Sequence, residues 1–430
     1  MAWLRRHQSL TSILDPSEES LHQAAPNWTP PGSLRHSYTV TNDNTTHSIS
    51  RYEIWSVSLA DPRAKKIAEN LKIFAYFFIE GATFSILDEP DWSLQRWKLW
   101  LLYRVDESKA SGSDYTLGGF ATSYRLYVTP DKDASDALAM HNVIPNYTLS
   151  ESQLSDISNK ETLEPTNGTH STDFVYDTVL SPPSRERIAQ FLILPPWQSQ
   201  SHGSQLYNSI IQIFLDDPVV FEITIEDPNE DFDKLRDYND LIRLNADPSF
   251  TSIRLPDTIP DASLKPDQPV PLDILLPVQA DLDIIRHKYK LAPRQFARLL
   301  EMHLLSTIPS AHRSAMRIIR KAKAASAEDR HYYFWRLVVK DRLFKRNRDE
   351  LMQLDEEERR GKVDDLIPGI QSEYEGVLEG VQRRAAIGAA ARLANGKGKA
   401  VEGETPSRKR KVIVEDDEDE EAGGSKRARV

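Results

Sequence analysis

Residues 187–237 read RIAQFLILPPWQSQSHGSQLYNSIIQIFLDDPVVFEITIEDPNEDFDKLRD, and their pattern decides the fold. The apolar run Phe191 to Leu194 has the length of a buried strand. It breaks at Pro195-Pro196, and a polar loop of mostly small residues follows, Gln198 to Ser204. Leu206, Tyr207, Ile210, Ile211, Phe214 and Leu215 then fall on one helical face, and Pro218 ends that helix. From Val219 to Glu226 the pattern changes period. Phe221, Ile223 and Ile225 alternate with Glu222, Thr224 and Glu226, as in a strand buried on one side.

This order sets a loop of free backbone N–H groups at a helix N-terminus. Such a place binds phosphate, because the amides point outward and the helix dipole favours anions. The second strand ends in two adjacent carboxylates, Glu226 and Asp227. An anion cradle beside a carboxylate serves phosphoryl transfer, or transfer of a group carried on a nucleotide cofactor. The spacing alone does not choose between them.

The wording of the segment does. Its loop resembles the Q-x-x-G-x-G/A motif of the GNAT-type N-acetyltransferases. FLILPPWQSQSHGSQLY (191–207) followed by EITIEDPNEDFDKLRD (222–237) is more narrowly similar to the catalytic subunits of type B histone acetyltransferases. LKIFAYFFIEGATF (71–84) and YRLYVTPDK (124–132) resemble that family in the same order. The likeness covers residues 32–132 and 184–245, and more weakly 270–385. It implies an α+β fold, a GNAT-type mixed central sheet flanked by helices, with a helical C-terminal module and a disordered tail. It also implies an N-terminal module ahead of residue 32, most of which this chain is expected to lack. The implied activity is direct transfer of acetyl from acetyl-CoA to a lysine in the tail of newly made histone H-four. The implied partners are that tail and a WD-repeat histone-binding subunit. One departure stands out: Ser199 and Ser201 occupy positions where the family loop has glycines, and only Gly203 remains.

A lysine ammonium, with a reference pKa of about 10.4, cannot attack a thioester until a base takes its proton. The resemblance gives that role to Glu226, with Glu80 as a second base or lysine guide. Asp227 has two readings. It is a further catalytic carboxylate, or it caps a helix through Asp227-Pro228-Asn229-Glu230, which has the form of a capping box. For the coenzyme, the resemblance assigns the main chain of Phe191, Leu192 and Ile193 to the pantetheine arm. It assigns Gln198, Ser199, Gln200, Ser201, His202, Gly203 and Ser204 to the pyrophosphate, His202 through its backbone N–H. Asn229 and Phe232 match positions that touch the coenzyme. Tyr124, Arg125 and Leu126 match a stretch lining the histone-tail groove. No metal site is expected, since the histidines are scattered and no HExxH spacing occurs.

The 430 residues suffice for two domains. There are no cysteines, which excludes disulfides and cysteine nucleophiles. The start lacks a signal peptide's apolar stretch, and the run Ile73 to Ile79 is too short to span a bilayer. A net charge of −11 argues against broad nucleic-acid binding and suits a lysine-rich partner. Residues 1–30 read as loosely structured, 31–250 as the acetyltransferase domain, with 131–182 a flexible polar insertion. Within it, Asp61-Pro62 starts a helix whose face carries Ile67, Leu71, Phe74 and Phe78, and Trp97 to Val105 and Leu117 to Thr129 read as strands. Helical spacing of Leu282, Ile285, Tyr289, Phe296, Leu299, Leu300 and Leu304 opens a helical module over 270–390, continued by Tyr333 to Met352. The tail, 395–430, runs RKRK, EDDEDEE, KRAR and reads as disordered, with basic clusters suited to nuclear import. A chain of this kind is expected in nucleus and cytoplasm. Two rivals stay open: an N-acyltransferase for another amine, and a non-enzymatic histone-binding chromatin protein.

Overall fold

The computed structural model describes residues 28–42, 48–79, 81, 87, 91–106, 114–128, 136–137, 183–264, 269–318 and 326–396. Glu80, most of the 131–182 insertion and the charged tail therefore lie outside the described residues. The chain divides into a compact unit, Met1–Val381, and a second, Gln382–Val430.

One six-stranded sheet organises the first half, with its strands in sequence order. They are β1 (Ser33–Asn42), β2 (Ser48–Ser58), β3 (Trp97–Asp106), β4 (Asp114–Tyr127), β5 (Ser184–Ile193) and β6 (Val220–Ile225). Each of the first four pairs antiparallel with the next, while β5 and β6 run parallel. A parallel pair needs a crossover, and a helix supplies it. The sheet is mixed and flanked by helices, as the α+β reading required.

The helix α1 (Pro62–Phe78) follows β2. Asp61 caps it, accepting from Arg63 N–H at 2.8 Å, with Pro62 in the first turn. Its buried side is Ala64, Ile67, Ala68, Leu71 and Ala75, packed with Leu99, Leu101, Tyr103 and Phe120 of the sheet. Phe78 departs from expectation. The buried face ends at Ala75, and Phe78 is 48% exposed beyond it. The helix α2 (His202–Asp216) is the β5–β6 crossover and covers the other face of the sheet. Its buried Leu206, Tyr207, Ile210, Ile211 and Phe214 meet Trp100, Leu102, Ala121 and Ile223, as its 3.6-residue pattern predicts.

The strand β5 begins at Ser184, well before the apolar run. The reason is charge pairing. Arg185 bonds Glu222 at 2.5 Å, and Glu186, fully buried, accepts from Arg125 at 2.8 Å. Paired charges tolerate burial that a hydropathy pattern cannot foresee.

After β6, α3 (Glu230–Leu244) leads into helices α4 (Gln279–Lys288), α5 (Pro293–Ser306), α6 (Ala327–Arg346) and α7 (Glu356–Gly396). Their common core contains Leu282, Ile285, Phe296, Leu299, Leu300 and Leu304, with Tyr289 packed against it. It also takes in Leu241 and Leu244 of α3. α6 starts at Ala327 rather than Tyr333, because Ser326 caps it by accepting from Asp329 N–H. No described helix is long and apolar enough to cross a membrane.

Candidate functional site

The site begins where two parallel strands part. β5 and β6 pair from Ser184 opposite Val220 to Ile188 opposite Ile225, with one register shift after Ser184, and Glu226 N–H donates the last tie to Ile188 O at 2.9 Å. On the other side of β5, Ser123 faces Ile188 but Thr122 faces Gln190, so Ala189 is the extra residue of a bulge. Bulges bend the strand that carries them. Beyond this one, Phe191, Leu192 and Ile193 stay with β4, opposite Ala121, Phe120 and Gly119. Among the described residues no strand pairs with their outer edge. Such an edge offers alternating N–H and C=O groups to an extended chain of amides. The Ile193 carbonyl is already engaged, by Gln198 Nε2 at 2.8 Å.

The loop that follows coils tightly. Ser199 (φ 60°) and Ser201 (φ 65°) both sit in the left-handed region. Gln200 folds back on Pro196 O at 2.8 Å. Ser201 takes the N-cap position of α2 yet makes no side-chain cap bond. The first amides of α2 therefore depend on partners other than a capping side chain, which is the condition for anion binding. Gly203 does something different from what its motif position predicts. A Cβ there would lie 2.7 Å from Leu235 Cδ1, so glycine lets α2 approach α3, and its φ is not positive. Ser204 Oγ accepts from Asn239 Nδ2 at 3.0 Å, which ties the same turn to α3.

The carboxylates stand at the lip of the opening. Glu226 is exposed, two residues beyond Thr224 in the row Glu222, Thr224, Glu226. Asp227 is exposed with φ 36°, another left-handed position. The capping reading of Asp227 is corrected. The N-cap of α3 is Asn229, whose side chain accepts from Phe232 N–H at 2.9 Å, and the helix starts at Glu230. Pro228 thus lies before the helix, not in its first turn. Phe232 packs edge-on against Phe191 at 4.9 Å and near Tyr207 at 6.0 Å, closing the inner side of the opening.

The presumed groove residues separate by strand alternation. Tyr124 is half-buried, stacks on Trp97 at 4.4 Å and accepts from Arg187 Nη1 at 3.2 Å. Arg187 also reaches Thr224 Oγ1 at 3.3 Å. Leu126 alternates onto the same face as Tyr124. Arg125 does not join them. It is 1% exposed on the opposite face, paired with Glu186 and Asp217, and so does not line an open groove. Burial pushes the Glu186 carboxyl up, against the pull of Arg125.

His202 is placed more deeply than its assigned backbone role requires. Its ring is 1% exposed, with Nδ1 2.7 Å from the Tyr38 hydroxyl and its centroid 4.3 Å from that of Tyr52. Burial pushes the imidazole below its ordinary range, so it is neutral at pH 7. Sequence reasoning missed Tyr38, which stands 164 residues from its partner with no local pattern joining them. No group of three or more metal-binding side chains occurs among the described residues. Taken together, an unpaired strand edge, a helix N-terminus and a carboxylate at the lip fit a carrier with an amide arm and a pyrophosphate.

Known proteins are similar to this sequence. The family described as "Histone acetyl transferase HAT1 N-terminus" matches residues 4–80, so that likeness starts earlier than residue 32. The one described as "Fungal HAT1, C-terminal" matches residues 279–308. The histone acetyltransferase type B catalytic subunit of Aspergillus oryzae is 34% identical over 364 residues, 83% of this chain and 64% of that protein. That of Aspergillus fumigatus is 35% identical over 371 residues, 84% of this chain and 59% of that protein. That of Gibberella zeae is 33% identical over 374 residues, 85% of this chain and 70% of that protein. The chain thus spans less than two thirds of the two Aspergillus relatives.

Proposed function

Since this chain belongs to the family of histone acetyltransferase type B catalytic subunits, we propose that it moves acetyl from acetyl-CoA to a histone lysine. The observation that carries this reading is the parting of β5 and β6 after Ile188, beside the N-terminus of α2 and next to Glu226. The pantetheine arm lies along the Phe191 to Ile193 edge, with the Ile193 carbonyl left to Gln198 unless that side chain swings away. The pyrophosphate meets the amides of 199–204. Glu226 takes a proton from the lysine ammonium, with Asp227 beside it as a further carboxylate and Glu80 proposed on the family resemblance alone. The freed amine attacks the thioester carbonyl carbon. A C–N bond forms, the C–S bond breaks, and the coenzyme leaves as a thiolate that picks up a proton. No covalent enzyme intermediate is needed. Tyr124 and Leu126 line the approach of the peptide.

The finer reading is a tail lysine of newly made histone H-four, presented with a WD-repeat histone-binding subunit, in nucleus and cytoplasm. The net charge of −11 supports a lysine-rich partner, because an acidic surface steers basic ligands. The basic clusters at 408–411 and 426–429 support nuclear import, and deleting 396–430 tests it by loss of nuclear signal.

The central test is Glu226→Gln, assayed with acetyl-CoA and histone peptides. Turnover is expected to fall about 10²–10⁴-fold, the usual cost of a lost general base, with acetyl-CoA affinity little changed. A variant within about threefold of the parent removes Glu226 from that role. A parent protein that fails to bind acetyl-CoA at all leaves the non-enzymatic histone-binding reading in its place.

A further inference from the structure

His202 sits at the joint between the serine loop and α2, and its side chain leaves the loop altogether. It meets Tyr38 of β1 and Tyr52 of β2, whose rings stack on each other at 5.3 Å, with His36 stacked outside Tyr38 at 5.7 Å. Burial raises the Tyr38 hydroxyl far above its ordinary range, so it stays protonated beside the neutral imidazole. His202 Nε2 is buried and has no hydrogen-bond partner among the described residues. A buried nitrogen left unpaired is costly, and such a group calls for an explanation.

The bond through Nδ1 offers one, because the ring is held there to serve the loop beside it. Ser199 and Ser201 are held in a conformation that disfavours side chains, and Ser201 does not cap the helix. The side-chain ties of Gln198 and Gln200 run back to Ile193 and Pro196, both on the strand side of the loop. On the helix side the tie at the first residue is the His202–Tyr38 bond. We propose that Tyr38 and His202 act as a positioning pair for the coenzyme, fastening the first turn of α2 and the strained loop to the first two strands. This rests on the acetyl-CoA reading above, and it gives the His202 side chain a role beyond that of its backbone amide. Neither residue touches a reacting atom. Their effect belongs in coenzyme affinity, not in the chemical step.

The test compares Tyr38→Phe, which removes one oxygen and keeps the stacked ring, with His202→Phe and the double variant. Three quantities are measured: the acetyl-CoA dissociation constant, kcat at saturating acetyl-CoA, and amide exchange in the ligand-free protein. Each single variant is expected to weaken acetyl-CoA about fivefold, the worth of one hydrogen bond, and the double no further. kcat is expected to stay within about twofold, since only interactions unique to the transition state raise it. Amides of 198–204 are expected to exchange faster in all three variants, while those of the last turn of α2 do not. Unchanged affinity with unchanged loop exchange overturns the proposal. So does faster exchange along all of α2, which marks ordinary structural support, or single effects that multiply in the double. If the parent binds no acetyl-CoA, the acetyltransferase reading fails, while loop exchange still decides whether the pair fastens the loop.

Discussion

Two serines carry the local strain of the site. Ser199 and Ser201 have φ of 60° and 65°, where an L side chain costs roughly 1–2 kcal/mol against glycine. The sequence points at these positions through the missing glycines, and the backbone takes the conformation that glycine would take freely. Glycine gives back part of the gain through its looser unfolded chain, about 0.5–1 kcal/mol. Ser201 lacks a cap bond that its removal would sacrifice. Ser201→Gly is therefore expected to stabilise the folded chain by up to about 1 kcal/mol, because the strain is present before any ligand binds. Denaturant unfolding reads it. A less stable variant refutes the strain argument, and weaker acetyl-CoA binding by Ser201→Gly would mark its hydroxyl as a phosphate ligand. Asp227, at φ 36°, belongs to the same class, and Asp tolerates this region better than most residues.

At the scale of elements, α2 and its neighbours show how much of the site the sequence carries. The α2 core face and the loop between β5 and α2 follow local periods, so they are legible, whereas β6 is buried on both sides from Val220 to Ile223, Glu222 included through its pairing with Arg185, and the expected one-sided alternation fails there. What fails is whatever depends on a partner distant in sequence. Arg125 matches a groove stretch by wording, yet strand alternation turns it to Glu186 and Asp217. The Ala189 bulge that opens the site appears only when β4 is laid beside β5. Asp227 and Asn229 both suit an N-cap, and only the helix start decides for Asn229. Gly203 is the clearest case, since its motif suggests backbone freedom and its neighbour Leu235 reveals a close helix approach. Gly203→Ala is accordingly expected to push the end of the Leu235 side chain aside and to destabilise the protein by about 1 kcal/mol, the low end of overpacking costs. Leu235→Ala makes room for the added methyl. The double variant should then lose less than the sum of the two singles, as read by denaturant unfolding. Strict additivity would mean that the two positions do not meet.

At the scale of the whole molecule, Lys290 joins the helical module to the C-terminal end of α2. Lys290 follows α4 with φ 51° and is fully buried. Its Nζ donates to Phe214 O and Asp217 O at the C-terminal end of α2, and its own carbonyl accepts from Ile223 N–H of β6 at 2.7 Å. A cation there complements the helix dipole and satisfies carbonyls that the helix leaves open. Leu291 then forms a bridge with Ile223, so the sheet and the module share main-chain bonds at this point. Burial lowers the Lys290 pKa to about 8, although Asp217 and Asp216 pull it upward. In the unfolded chain the same group keeps its proton to about 10.4. Between these two values the unfolded state binds more protons than the folded one, so stability contributed by this group rises with pH across that window. Below about pH 8 both states are protonated and the contribution is flat. Tyrosines in the unfolded chain lose their protons at about pH 10, so the parent must be compared with Lys290→Met. The variant leaves two helix carbonyls without their donor, and it is expected to be less stable at pH 7 by about 1–3 kcal/mol. Its loss relative to the parent is expected to widen as pH rises from about 8 toward 10, because only the parent gains stability by shedding this proton. Chemical unfolding at intervals across that window measures the difference. Parallel stability curves for the two proteins would show that Lys290 does not titrate there, and that its ammonium is held by the carbonyls of α2 more firmly than burial disfavours it.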